Sequence, residues 1–292
     1  MPTRSAVRNI LASYRFQLSL KGGLRLRLAY ATLYWTRYLH ARYWFPRVDT
    51  SQAHALAWRY LGKAGWNQKT VTLKVPTGIV MEADLMTAFM ILREIYDIGI
   101  YENCALGNFS PLEGNIVIDI GSQQGTYTLL SSKKVGHRGK VFAMEPEPHN
   151  YSILEKNILL NQLDNVRIFQ IAISDDDGKA DFYINPDNTG GHSLVVHGEN
   201  WSKIPVQKMT LDHLMREISV SPDLIKIDVE GSALAVLRGG IETLRQNKPK
   251  IVLELDSIDE EKTISELLEG LDYKTIRKGN NLFATVEKMG NV

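Results

Sequence analysis

Two carboxylates two positions apart, Asp228 and Glu230, stand in the run Leu224-Ile225-Lys226-Ile227-Asp228-Val229-Glu230-Gly231. Side chains two apart on an extended chain point the same way, so the pair can face one ligand. A carboxylate so placed suits general-base work on a hydroxyl, and two of them close together raise one pKa by repulsion. Glu230 equally suits a cap for a helix starting near Ser232. The polar, glycine-rich segment 185–202 carries Asn185, Asn188, Gly190, Gly191, His192, Ser193 and His197. It reads as a lid over a substrate or as a solvated loop, and His192 is a further candidate base. The catalytic candidates are therefore Asp228, Glu230 and His192. Glu254 and Asp256 end another apolar run, and with Asp228 and Glu230 they form an oxygen-rich set that suits Mg²⁺. Strand tips carry carboxylates without any metal, and a metal-free site is the preferred reading.

A second group suits ligand binding. The segment Asp119-Ile120-Gly121-Ser122-Gln123-Gln124-Gly125-Thr126 follows an apolar run. Gly121 lets backbone approach a ligand, and Gly125 opens the next helix, whose N-terminal amides can face a polar group. Gln123 stands where a dinucleotide fingerprint has its second glycine, which counts against NAD and FAD. Glu145, followed by Pro146, ends the next apolar run and is placed to accept from both ribose hydroxyls of a nucleoside. Capping of the helix after Pro148 is the competing role for Glu145. After a third run, Ala172-Ile173-Ser174-Asp175 stands where an adenine ring would be held, although a turn explains Ser174 and Asp175 as well.

The elements that must position these groups follow from periodicity. Apolar runs at 116–120, 141–144, 166–171, 224–227 and 251–255 alternate with helical patterns at about 125–136, 148–161, 210–219 and 232–247. Continuous apolar strands alternating with helices predict a parallel sheet covered on both faces. Lys278-Gly279-Asn280-Asn281, between 273–277 and 282–286, is a hairpin signal. The expected architecture is α/β: a doubly wound, mostly parallel, Rossmann-like seven-stranded sheet with an antiparallel C-terminal hairpin. Upstream, 70–75 and 79–81 read as strands about Pro76-Thr77-Gly78, and 86–98 reads as a helix with Phe89, Leu92 and Tyr96 on one face.

With these motifs in order, the chain resembles the FkbM family of S-adenosylmethionine-dependent methyltransferases. The resemblance rests on Val117-Ile118-Asp119-Ile120-Gly121, Glu145-Pro146-Glu147-Pro148, Asn157 with Asn161, Ala172-Ile173-Ser174-Asp175, the run ending in Asp228-Val229-Glu230-Gly231, and Leu237-Arg238-Gly239-Gly240. It covers roughly residues 70–287. It implies the class I methyltransferase fold and O-methylation of a hydroxyl on a glycan, a lipid-linked saccharide or a polyketide-like product. It also implies a cofactor site of Asp119, Gly121, Ser122, Gln123, Gly125, Thr126, Glu145, Pro146, Ala172, Ile173 and Asp228, with Asp228 and Glu230 near the transferred methyl. Tyr101-Glu102 would close over the methionine part, or simply pack. Ser232-Ala233 and Ser122-Gln123 depart from the residues usual in the family, so substrate preference does not transfer.

Composition bounds the rest. The 292 residues carry a net charge of +1, yet nine positive residues and no acidic one fall in the first 48. Arginines interleaved with Leu24, Leu26, Leu28, Tyr30, Leu33, Tyr34 and Tyr38 suggest a basic helix from about 24 to 43. Such a helix can pack on the main domain or a second subunit, or lie on an anionic membrane surface. The expected division is a basic helical extension, 1–69, and a methyltransferase domain, 70–292. The acidic run Asp228-Val229-Glu230 disfavours a nucleic-acid partner, leaving nucleic-acid methylation and a noncatalytic membrane-associated role as alternatives. The single cysteine, Cys104, fits a reducing compartment, and no apolar run long enough for a signal or a span is seen. A cytoplasmic protein, peripheral at most at the inner membrane face, is expected.

Overall fold

The computed structural model describes residues 21–22, 70–75, 77–84, 87–92, 94–185, 190–196, 201–255 and 257–286. The basic helix expected at 24–43, His197, Asn188 and Asp256 lie outside them. The chain divides into two compact units, Met1–Ile98 and Gly99–Val292. In the first, β1 (Lys21–Gly22), β2 (Thr70–Lys74) and β3 (Val80–Asp84) form an antiparallel sheet. The helix expected at 86–98 is present as two π-helical turns, Thr87–Ile91 and Glu94–Ile98, with Leu92 buried between them.

The second unit begins with the small hairpin β4 (Asn103–Cys104) and β5 (Gly107–Asn108). Then come β6 (Ile116–Ile120), α1 (Thr126–Val135), β7 (Lys140–Met144), α2 (Pro148–Leu160) and β8 (Val166–Phe169). A second sheet follows, made of β9 (Ala172–Ser174), β10 (Gly178–Ile184) and β11 (Ser202–Thr210). The chain then returns through α3 (Leu211–Ile218), β12 (Leu224–Ile227), α4 (Ala233–Arg238), α5 (Ile241–Asn247), β13 (Lys250–Glu254), α6 (Ile258–Glu269), β14 (Lys274–Lys278) and β15 (Asn281–Thr285).

The main sheet has seven strands in the order β14-β15-β13-β12-β6-β7-β8. β13, β12, β6, β7 and β8 run parallel, and β15 is antiparallel to both β13 and β14. This is the class I arrangement expected from the sequence, with its antiparallel terminal hairpin. Its central strands are apolar on both faces because helices cover both. Ile118, Ile120, Phe142, Met144, Ile225, Ile227, Ile251 and Leu253 share one core with Leu211, Val236 and Ile264 from the helices. Asp119 and Lys226 are the charged exceptions in that interior.

Three local features differ from the sequence expectation. The third run stops at Phe169, and β9 leaves the main sheet to pair in parallel with Lys208–Thr210 of β11. The helix expected across 232–247 is broken at Gly239-Gly240. Asp212 caps the second piece by accepting from Glu242 N (3.0 Å) and Thr243 N (2.7 Å). A Cβ on Gly239 would sit 2.0 Å from Ser174 O, so the break also admits the end of β9. The β10–β11 hairpin, paired from Gly178–Lys208 to Ile184–Ser202, has no counterpart in the sequence reading, and neither has α6. Its alternation with charged residues hides the strands, and Pro205 argues locally against one.

Candidate active site

Strand order reverses between β6 and β12, and ligands of open α/β sheets bind in the crevice at such a switch. Parallel pairing sets Lys226 across from Asp119 and Ile227 across from Ile120. Gly121 and Asp228 therefore leave the sheet side by side, and Asp228 N donates to Ile120 O at 3.0 Å. Gly121 has φ +77°, and a Cβ there would lie 1.8 Å from Asp228 O. The glycine is required by packing of the two tips against each other, a different reason from the ligand approach expected of it.

At this switch point Lys226 lies buried within β12. Its ammonium is buried and donates to Gly121 O at 2.7 Å. It pairs with Asp119 Oδ1 at 3.2 Å and Asp228 Oδ2 at 3.4 Å. Asp119 also accepts from Thr128 Oγ1 of α1 at 2.5 Å. Burial alone pushes the Lys226 pKa down, but the Asp119 and Asp228 carboxylates outweigh it and hold it above its ordinary value. Asp119 is thus a structural anchor of the loop that follows β6, and it is completely buried.

Asp228 is 28% exposed at the side chain. Its Oδ2 takes both protein partners, Lys226 and the Tyr101 hydroxyl at 3.2 Å. The Tyr101 hydroxyl is also 3.5 Å from Glu254 Oε2. The Tyr101 ring is buried edge-to-face with Tyr127, centroids 5.5 Å apart. Its neighbour Glu102 turns the other way, paired with Lys134 of α1, which also donates to Ser110 Oγ at 2.7 Å.

Glu230 does not follow the extended alternation expected for it. Its φ is +47° and that of Gly231 is +84°, so the chain turns left-handed directly after Val229. The rule that places residues two apart on one face fails in that turn. Ser193, fully buried, donates its hydroxyl to Glu230 O, which ties the segment 190–196 to this tip. Ser193 also bridges Tyr183 of β10. His192 accepts from Asn185 N at Nδ1 (3.0 Å) and lies edge-to-face with Phe182. A neutral imidazole that accepts at Nδ1 carries its proton on Nε2. Among the described residues no group of three His, Cys, Asp or Glu side chains is arranged to hold a metal ion.

The neighbouring lobe of the crevice is built on β7. Glu145 is buried and accepts from Gln123 N at 2.8 Å through Oε2 and from Glu147 N at 2.9 Å through Oε1. Helix α2 is capped by Glu147, which accepts from His149 N (3.0 Å) and Asn150 N (2.6 Å), with Pro148 in its first turn. The capping role considered for Glu145 thus falls to its neighbour. Ser122 and Gln124 serve the loop itself. Ser122 Oγ lies 3.0 Å from both Asp119 O and Met144 O, and Gln124 O accepts from Asn157 Nδ2 at 2.8 Å. Gly125, with φ +90°, heads α1, and Thr126 and Pro146 are both buried. Ala172 and Ile173 are core residues of β9, Ile173 in the main core and Ala172 with Phe182 and Val206.

Burial is the main cause that pushes the Glu145 pKa up to about 8; the two backbone amides and Lys226 pull the other way. The folded value exceeds the ordinary 4.5, so the stabilising contribution is complete below that value and is lost as pH rises through about 8. Ribose hydroxyls donate, and donors favour the anion. If a nucleoside's ribose meets Glu145, as expected from the sequence, its affinity should therefore strengthen as pH rises toward about 8 and level off above it. Calorimetric titration with S-adenosylhomocysteine from pH 6.5 to 8.5 measures this, and a flat profile sinks it. At pH 8.5, where the carboxylate is charged, Glu145→Ala is expected to weaken the same binding by roughly 10- to 100-fold, the worth of hydrogen bonds to a charged group.

Comparison with known proteins gives the following. The methyltransferase FkbM domain matches residues 119–282. The 2-O-methyltransferase NoeI of Sinorhizobium fredii is 28% identical over 151 residues, 46% of this chain and 60% of that protein. The hexuronic acid methyltransferase AglP of Haloferax volcanii is 27% identical over 165 residues, 56% of this chain and 65% of that protein. The matches thus span less than two thirds of either relative. The crystal structure of methyltransferase FkbM from Methylobacillus flagellatus KT aligns with TM-score 0.47 at 15% identity, covering 96% of this chain and 60% of that one.

Proposed function

The chain belongs to the methyltransferase FkbM family, and on that premise we propose that it moves a methyl group from S-adenosylmethionine to a hydroxyl of a saccharide or a related hydroxylated product. The observation that carries the reading is the placement of a buried carboxylate, Glu145, and a partly exposed one, Asp228, at the tips of the two strands that flank β6 at the switch point. The relatives, a 2-O-methyltransferase and a hexuronic acid methyltransferase, support a sugar hydroxyl as acceptor.

The residues fit the cofactor. Each Glu145 oxygen accepts one backbone amide and keeps a second lone pair for a ribose hydroxyl. The paired tips of Gly121 and Asp228 leave the Asp228 side chain at the mouth of the crevice. When bound, the cofactor supplies an electrophilic methyl on a sulfonium. The chain's own task is alignment and proton removal, since positioning supplies much of the rate in such a displacement. Both protein partners of Asp228 sit on Oδ2, which leaves Oδ1 as the oxygen able to receive the acceptor's proton. Lys226 and Gly121 fix where that oxygen lies.

The test uses methyl-labelled S-adenosylmethionine with a panel of neutral and hexuronic p-nitrophenyl glycosides. Label is expected in at least one glycoside. No label in any glycoside, together with no calorimetric binding of S-adenosylhomocysteine, overturns the reading. With an accepted glycoside, Asp228→Asn retains an acceptor oxygen and lowers kcat by roughly 10²-fold, the lower end of what a general base supplies.

A further inference from the structure

Tyr101 has one hydroxyl hydrogen and two carboxylate acceptors, Asp228 Oδ2 at 3.2 Å and Glu254 Oε2 at 3.5 Å. The two acids come from adjacent strands in register, since Ile227 pairs with Leu253 and the next residue on each is Asp228 and Glu254. Around them stand Lys226 on β12, Asp119 on β6 behind it, and Tyr127 of α1 against the Tyr101 ring. The ring is buried and held on its edge, with Lys226 Nζ 5.8 Å from its centroid. Only rotation about its C–O bond is needed for the hydroxyl to exchange acceptors.

We infer that Tyr101 is a positioning residue that couples Asp228 to Glu254: its hydroxyl bonds Asp228 while that carboxylate is charged and moves to Glu254 when Asp228 takes up the acceptor's proton. The inference rests on the proposed methyl transfer for its use, and on the geometry alone for the coupling. A hydroxyl donates more strongly to a charged carboxylate than to a neutral acid. As the acceptor's O–H bond breaks, its proton passes to Asp228 Oδ1, and the acceptor oxygen gains the methyl carbon as the carbon–sulfur bond breaks with its electron pair left on sulfur. Asp228 is then neutral, and the phenol regains a charged partner in Glu254. The exchange lowers the cost of protonating Asp228 while keeping its Oδ1 aimed at the crevice. Glu254 thereby acts in proton handling through Tyr101, without touching the acceptor.

The full chain is prepared with ¹³Cζ-labelled tyrosine, and the Tyr101 resonance is assigned by its absence in Tyr101→Phe. It is expected to move in both Asp228→Asn and Glu254→Gln, with circular dichroism unchanged. A resonance that responds to only one of them, or to neither, overturns the coupling. In a second measurement Tyr101→Phe keeps its dissociation constant for S-adenosylhomocysteine within about twofold but loses about tenfold in kcat on an accepted p-nitrophenyl glycoside. An unchanged kcat, or a loss confined to cofactor binding, also overturns it. Should the wild-type chain methylate no glycoside, the methyl-transfer reading fails, and the resonance still decides the coupling.

Discussion

Lys226→Met is expected to lower the free energy of unfolding by about 3–5 kcal/mol, the cost of removing one partner from a buried ion pair. Methionine nearly fills the volume of the lysine stem, so the packing of β12 is kept and the change isolates the charge. What remains is Asp119, completely buried on the adjacent strand, with only the Thr128 hydroxyl to replace an ammonium at 3.2 Å. Gly121 O loses its donor at the same time. The wild-type ammonium has its pKa raised over the ordinary 10.5, so the stability it contributes is complete below that value and is lost as pH rises through the folded one. The deficit of the variant is therefore constant across neutral pH. Urea denaturation measures it, and a loss below about 1 kcal/mol would show that Asp119 does not depend on Lys226. The double change Asp119→Asn with Lys226→Met supplies the control. Removing both charges regains most of the loss, because a buried pair adds little over an uncharged substitute.

The same pair shows where sequence reading stops. The continuous apolar runs that became β6, β7, β12 and β13 were legible because burial on both faces dictates composition. The switch-point location of the site followed from that order of strands and helices. A lysine inside Leu224–Ile227 is anomalous for such a strand, and that was the available signal. Its partner Asp119 is 107 positions away, and only the register of two parallel strands brings them together. Register between distant strands leaves no trace in residue spacing. Tyr101 belongs to the same case, reaching β12 and β13 from ahead of the first strand of the sheet. The strand-tip position of Glu145 was legible, but which of two neighbouring glutamates caps the next helix was not, and that residue is Glu147. The left-handed turn at Glu230 could not be read, since the glycine that signals it is the following residue and the rule for alternating side chains gave no warning. The hairpin β10–β11 was hidden by Pro205, which lies in the strand opposite Asp181.

Gly121→Ala is expected to cost about 3–5 kcal/mol, combining a left-handed backbone with overpacking against main chain. The φ of +77° disfavours any side chain, but this is the smaller part. The added methyl would fall 1.8 Å from Asp228 O, and a carbonyl oxygen cannot rotate aside as a side chain can. Gly125 provides the contrast. Its φ is also positive, yet a methyl there meets first the terminal Leu154 Cδ1 at 2.6 Å, which a rotamer change can clear. Gly125→Ala should therefore cost roughly 1–2 kcal/mol, the backbone contribution alone. At Gly121 relief requires the tips of β6 and β12 to separate. That movement takes Gly121 O from the Lys226 ammonium and displaces Asp228, so the proposed cofactor loop and the proposed general base are disturbed together. Thermal unfolding and S-adenosylhomocysteine titration of the two variants measure the contrast. If Gly121→Ala is no less stable than Gly125→Ala, or binds S-adenosylhomocysteine as the wild type does, then the two tips are not in the contact on which the site depends.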